Sequence, residues 1–350
     1  MTIMAEEIRE IPAIVRTQLT TAAASFDAVA EAIRAADPRW VSIVARGTSD
    51  HAAIYARYLI ETELGWPVGL ASPSVTTVYH APTKWADGLV LAVSQSGRSP
   101  DLVAVVEAAR RGAALTVAIT TAPDSPLEAA AALGLRCTAG VERAVAATKS
   151  YVAELAAVAR IVATLVPDSA LAAALPRVPD VLAATLAAAQ AWLAAEGGEL
   201  VEAIATAGRA LVVSRGFNLA TALETALKLK ETGRIFAEGY SSADLEHGPI
   251  ALASAGFPTL VFRPDGPIGG AIDPAAERSR AMGARTWVVG GADVAGQADV
   301  LSIGALAGLP ECLTPLALIL PGQLLAEAVA VRLGLSPDAP TGLNKVTLTR

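Results

Sequence analysis

The chain has 350 residues, 53% of them hydrophobic but only 4% aromatic, and its 27 basic and 34 acidic side chains leave a net charge of −7. A chain this long buries roughly 75% of the surface it would expose unfolded, so it needs no staples, and its only two cysteines, Cys137 and Cys312, read as reduced core residues. An acidic chain without a Lys/Arg cluster argues against nucleic acid as a partner, although local donors can still bind a small anion.

In chain order, residues 3–36 are helical, with Ile8, Ile11, Val15 and Leu19 at spacings of three or four. The first ten residues carry Glu6, Glu7, Arg9 and Glu10 and no long apolar run, so no secretory signal is expected. Val41–Ala45 is a short strand, and Gly47-Thr48-Ser49 turns from it into a helix from Asp50 to near Leu64. Leu89–Val93 is a second strand, followed by Ser94-Gln95-Ser96-Gly97-Arg98-Ser99-Pro100-Asp101, where Ser99 suits an N-cap and Pro100 a first helical position. A helix to near Arg111 and a strand over Leu115–Thr120 follow. Residues 147–207 read as long Ala-rich helices, broken at Pro176–Pro179, which marks a domain boundary. The strand Ala210–Ser214 then leads to a helix over Leu219–Thr232, capped by Asn218 and closed by Gly233 in the C′ position. Strands near Thr259–Phe262 and Arg285–Val289 precede a helical region to near Leu333 and a tail from Gly334. The longest apolar region, Leu313–Val331, is interrupted by Pro315, Pro321, Gln323 and Glu327, so it reads as a buried helix or helix pair, not a membrane span.

A repeat organises these elements. Val44-Ala45-Arg46-Gly47 recurs 169 residues on as Val213-Ser214-Arg215-Gly216; the same offset carries Leu91-Ala92-Val93 onto Leu260-Val261-Phe262, Gly97 onto Gly266, and Val117–Thr120 onto Thr286–Val289. The expected fold is therefore α/β: two duplicated halves, each a parallel sheet with helices, and a cleft between them as the natural ligand site.

Several side chains in this pattern can carry chemistry. Ser94, Ser96 and Ser99 with Gly97, and Thr48 and Ser49 one strand earlier, occupy strand-to-helix turns where backbone N–H groups and hydroxyls can hold a phosphate monoester; simple helix capping explains them equally well. The second copy has Arg263-Pro264-Asp265-Gly266 instead, an acid where the hydroxyls stand. No Walker A motif and no G-x-G-x-x-G fingerprint is present, which argues against nucleotides and dinucleotides. Glu224, Lys228 and Glu231 share one face of their helix, either as a surface salt-bridge row or as a desolvated proton shuttle. His247, in a loop before Gly248-Pro249, is structural or functional; His51, His80 and His247 lack metal-ligand spacing, so neither a metal nor a cofactor is expected. Lys345 lies in the tail, where a lysine is ordinarily solvated and idle.

The segments Ala45–Ser49, Ser94–Asp101, Glu142–Lys149, Ala222–Glu231 and Glu238–Pro249, taken together and in order, resemble the sugar isomerase (SIS) family, most closely the isomerase half of glucosamine-6-phosphate synthase and the free-standing class II glucosamine-6-phosphate deaminases. The resemblance implies two SIS subdomains of flavodoxin-like three-layer build, at 39–175 and 176–335, after a helical segment at 1–38 and before a tail at 336–350. It assigns Thr48, Ser49, Ser94, Gln95, Ser96 and Ser99 to phosphate binding. Glu231 matches the carboxylate that moves a proton between C1 and C2, and His247 the ring-opening acid/base, which in the synthase comes from a neighbouring subunit. Lys228 and Glu224 match residues lining the sugar. Lys345 matches the tail lysine that forms a Schiff base with the ketose.

Two departures accompany the match: the tail reads Gly342-Leu343-Asn344-Lys345-Val346-Thr347 where the synthase has Asn-Leu-Ala-Lys-Ser-Val, and Ala147 stands in place of a serine near the substrate. With no glutaminase domain in the sequence, the expected reaction is glucosamine 6-phosphate to fructose 6-phosphate and ammonia. The competing readings are an aldose–ketose isomerase or deglycase for another sugar phosphate, and a non-catalytic sugar-phosphate sensor. A cytoplasmic homodimer sharing the His247 loop, with no membrane or nucleic-acid partner, is the expected setting.

Overall fold

The computed structural model describes residues 1–21, 23–294 and 299–346. Helices α1 (Ile3–Thr21) and α2 (Ala23–Ala36) come first, so the helical stretch at the N-terminus is two elements. On α1 the residues Met4, Ile8, Ile11 and Val15 are fully buried, one stripe at helical spacing.

The first sheet is built from β1 (Trp40–Val44), α3 (Thr48–Leu64), β2 (Val68–Leu70), α4 (Pro73–Thr77), β3 (Gly88–Ser94), α5 (Pro100–Arg111), β4 (Leu115–Thr120), α6 (Pro126–Ala130) and β5 (Leu133–Arg136). Its strands run parallel in the order β2-β1-β3-β4-β5. All seven residues of β3 are buried, because helices cover both faces. Val90 and Ala92 pack with Leu102, Val105 and Val106 of α5 and with Leu127 of α6. Leu89 and Leu91 point the other way, toward Ile33 of α2, Ile60 of α3 and Val158. That last residue belongs to α7 (Lys149–Leu165), the start of a helical run that continues as α8 (Ala170–Ala174), α9 (Val178–Leu193) and α10 (Gly198–Ala207).

The second sheet repeats the plan: β6 (Arg209–Ser214), α11 (Leu219–Gly233), β7 (Phe236–Ser241), α12 (Ser242–Glu246), β8 (Pro258–Arg263), α13 (Pro267–Ala281), β9 (Arg285–Gly290) and β10 (Val300–Ser302), then α14 (Thr314–Arg332). The strands are again parallel, ordered β7-β6-β8-β9-β10, the same 2-1-3-4-5 sequence as the first sheet. Register makes the duplication explicit. Ile43 pairs with Leu91 in the first sheet, and the residues 169 positions later, Val212 and Leu260, pair in the second. The offset breaks at the fourth strand: Leu91 pairs with Val117, but Leu260 pairs with Trp287, not Thr286. One extra residue between β8 and β9 therefore moves the true equivalent by one, and in a strand that step exchanges the two faces.

Two compact units divide the chain: 13–142, 149–176 and the tail from Asn344 carry the first sheet, and 1–12, 143–148 and 177–343 carry the second. Helix α14 is a single helix with Pro321 inside it, not a pair. It and the stretch Ala170–Leu193 are long and apolar enough to cross a membrane, but 89% of the α14 window is buried, the burial of a core helix. Cys137 and Cys312 are both buried and free.

Candidate active site

In a 2-1-3-4-5 sheet, the crossovers from the first and third strands leave on opposite sides and open a crevice at the strands' carboxyl ends. In the first sheet that point lies between β1 and β3, which pair at Val44 and Ala92. The two serine- and threonine-bearing turns follow these strands. Gly47 takes φ 57°, ψ −130° and lets the chain enter α3 with Thr48 as its first residue. Gly97 takes φ 60°, and a Cβ on it would sit 2.4 Å from the Ser125 hydroxyl oxygen, so the turn has room only for glycine. The Gly97 N–H donates to Ser94 Oγ at 3.1 Å, and Thr121 donates its N–H (3.2 Å) and hydroxyl (2.8 Å) to the Gln95 carbonyl. Ser99 stands in the N-cap position with extended backbone, yet its hydroxyl makes no cap hydrogen bond.

The N-termini of α3 and α5 thus open where the strand order reverses, with the dipole sense that favours an anion. Arg46 donates from Nε to the buried Asp101 at 3.0 Å and leaves half its side chain exposed beside this point. Ser49 differs from its neighbours. Its hydroxyl donates to the fully buried Glu154 at 3.0 Å, so toward a ligand it offers its backbone N–H.

The corresponding turn of the second sheet is filled by its own charges. Arg263 grips Asp273 through two bonds (2.7 and 2.9 Å) and Asp293 through a third (2.6 Å). Asp265 accepts the N–H groups of Ala292 and Asp293 at 3.1 and 3.3 Å, in the role an external anion would take. Burial and the neighbouring Asp293 push its carboxyl above the ordinary carboxylate value. The acid in place of hydroxyls is an internal ligand.

On α11, Glu224, Lys228 and Glu231 come together as their spacing requires, but not as a surface row. Lys228 and Glu224 are fully buried, and Glu231 keeps 24% of its side chain exposed. Lys228 Nζ lies 3.3 Å from Glu224 Oε1 and donates to Glu231 Oε2. Burial opposes the charge on Lys228 and is the largest single influence, yet the attraction of Glu224 and then Glu231, with their hydrogen bonds, outweighs it and the ammonium is pushed up to about 12. Packing against α14 causes the burial: Thr232 donates to the Ala326 carbonyl at 3.2 Å, and Gly322 lets Thr225 approach.

The caps of α11 differ from the sequence expectation. Asn218 makes no side-chain cap; it donates to Thr314 and accepts from Thr221. Gly233 is the last helical residue, and Arg234 takes the left-handed position at φ 54°. Glycine is needed at 233 for another reason, since a Cβ would press on Ile235 and Val329 at 3.2 and 3.3 Å.

His247 closes α12 with its N–H on the Asp244 carbonyl (3.2 Å), and its imidazole is exposed, with no hydrogen bond or ion pair among the described residues. It is not brought against the α11 group. Lys345 is not idle: Nζ donates to Glu142 Oε2 at 2.8 Å. Glu142, Glu154 and Arg46 were not singled out from sequence. Glu142 and Arg46 lie inside matched segments, and nothing in local pattern marks Glu154 on an Ala-rich helix. A separate open cavity of about 560 Å³, lined by Trp40, Trp85, Val68, Val75 and Val105 among others, includes none of the expected site residues. Its mostly apolar wall suits neither a phosphate nor a sugar.

A model of the SIS domain matches residues 36–163. A candidate phosphosugar isomerase from Silicibacter pomeroyi is 37% identical, with TM-score 0.85, over 97% of this chain and 100% of its own. The chain belongs to the SIS family. Along 98% of its length this SIS protein is also 35% identical to the glutamine–fructose-6-phosphate aminotransferase (isomerizing) of Methanothermobacter thermautotrophicus, of which it spans 56%. The C-terminal domain of glucosamine-fructose-6-phosphate aminotransferase from Francisella tularensis superposes with TM-score 0.86 at 25% identity, covering 97% of this chain and 98% of that one. The SIS chain thus spans little more than half of the Methanothermobacter enzyme's length.

Proposed function

We propose that this SIS protein converts glucosamine 6-phosphate, or a close amino-sugar phosphate, to the ketose phosphate and ammonia. The observation that carries the proposal is the α11 group: a partly exposed carboxylate, Glu231, fixed by a buried ammonium that a second buried carboxylate holds in place. Such a carboxylate is positioned for repeated proton transfer without changing its own location. In the proposed sequence Thr48, Ser94, Gln95, Ser96, Ser99 and the N–H of Ser49 bind the phosphate. His247, supplied by the second subunit of a homodimer, opens the ring. Glu231 takes the proton from C2 of the aldose and delivers it to C1, while O1 gains a proton and the amine gives one up, leaving a C1 hydroxyl and an imine at C2. Water adds to that carbon and ammonia departs, so the ketone forms with no redox change. Glu224 and Lys228 line the sugar. A cytoplasmic setting belongs to the same proposal.

A coupled assay for ammonia with glucosamine 6-phosphate as substrate tests this reading. Ammonia and fructose 6-phosphate in equal amounts are expected. Interconversion of an aldose and a ketose phosphate without ammonia would select the isomerase alternative, and tight binding without turnover of any sugar phosphate would select the sensor.

A further inference from the structure

The tail lysine is tied to a carboxylate that is itself anchored. Glu142 lies between β5 and α7 with only 1% of its side chain exposed. Its Oε1 accepts the Ser150 N–H at 3.1 Å, and its Oε2 accepts the Ser150 hydroxyl at 2.7 Å. Ser150 is the second residue of α7, a 17-residue helix, so the carboxylate takes up a first-turn N–H at the positive end of the helix dipole. Both oxygens are thereby fixed on the helix side, and Oε2 receives Lys345 Nζ at 2.8 Å as well. The tail from Asn344 to Val346 has no regular secondary structure.

We propose that Glu142 is the positioning residue for Lys345, a helix-anchored carboxylate that latches the C-terminal tail and fixes where its amine can meet a sugar carbonyl. The tail ammonium adds a charge-assisted hydrogen bond to this buried carboxylate, and the lysine in turn gives up the freedom of a four-carbon stem. The assignment of Lys345 to the reaction rests on the function proposed above together with the Schiff-base role that the family resemblance implies for this lysine; the latch itself does not.

Two readouts separate them. Residue-resolved acylation of lysines, measured by mass spectrometry at one pH, should show Lys345 about tenfold more reactive in Glu142→Gln than in wild type, the equivalent of one lost charge-assisted hydrogen bond, with Glu142→Asp in between. In turnover with glucosamine 6-phosphate, Glu142→Gln should lower kcat with little change in KM, and the Glu142→Gln/Lys345→Ala double variant should be no slower than Lys345→Ala alone. Equal acylation of Lys345 in wild type and Glu142→Gln overturns the latch. Additive losses in the double variant overturn its acting through Lys345. Altered acylation without any effect of either substitution on turnover would keep the latch and refute the Schiff-base role that the resemblance implies for Lys345.

Discussion

A lysine with no exposed surface is stable as a cation only when its partners outweigh the loss of water, and Lys228 has two. Its ammonium is raised from the ordinary 10.5 to about 12, a difference of about 2 kcal/mol between folded and unfolded chains. Because the folded value is the higher one, this contribution is complete below the unfolded pKa and disappears as pH rises through the folded one. Urea unfolding should therefore show wild type losing about 2 kcal/mol relative to Lys228→Met as pH rises from about 10.5 to about 12. Removing Glu224 leaves the ammonium buried with one partner; Glu224→Ala should lose about 3 kcal/mol in the same measurement. Glu231→Gln keeps shape and most of the contact, so it should leave stability within about 1 kcal/mol while lowering kcat by about 10² to 10⁴.

Elements set these residues by close approach, and glycines mark where. Gly322 on α14 faces Thr225 on α11, and a Cβ would lie 2.1 Å from the Thr225 hydroxyl oxygen. Gly322→Ala should push α14 away from the helix that carries Lys228 and cost about 1–3 kcal/mol, seen as a lower urea midpoint. Gly97→Ala is strained at φ 60° and collides with Ser125, so it should weaken sugar-phosphate binding at least about tenfold by calorimetry with little change in fold. The long elements were legible: α5 starts at Pro100 after Ser99 and ends at Arg111, and β4 spans Leu115–Thr120, as the sequence predicts. The strands β2, β5, β7 and β10 were not. They are three to six residues long, and β7 reads Phe-Ala-Glu-Gly-Tyr-Ser, with no apolar run to betray it. Burial of the Glu224–Lys228 pair was equally invisible, because spacing reports a shared face and not what covers it.

Over the whole molecule, the duplication was the most readable feature, since parallel pairing preserves both strand order and register across 169 residues until the extra residue before β9. The two copies diverged at their switch points. One carries serine and threonine residues at its helix starts, and the other satisfies its donors with Asp265. The proposed homodimer, with its His247 loops shared, predicts complementation. Glu231→Gln and His247→Ala, each inactive alone, should regain about a quarter of wild-type activity when their subunits are exchanged by mixing, because one site in each mixed dimer has both residues intact. The central claim is that Glu231 carries the proton between C2 and C1. The direct test is turnover of glucosamine 6-phosphate in D₂O, followed by NMR at those two carbons, for wild type and Glu231→Gln at saturating substrate. Wild type should form ketose whose new C1 hydrogen comes from C2, with solvent deuterium entering only where the Glu231 carboxyl exchanges before delivery, and the variant should bind the sugar phosphate yet turn over at least about a hundredfold more slowly. Hydrogen transfer to C1 by Glu231→Gln at the wild-type rate would contradict the account.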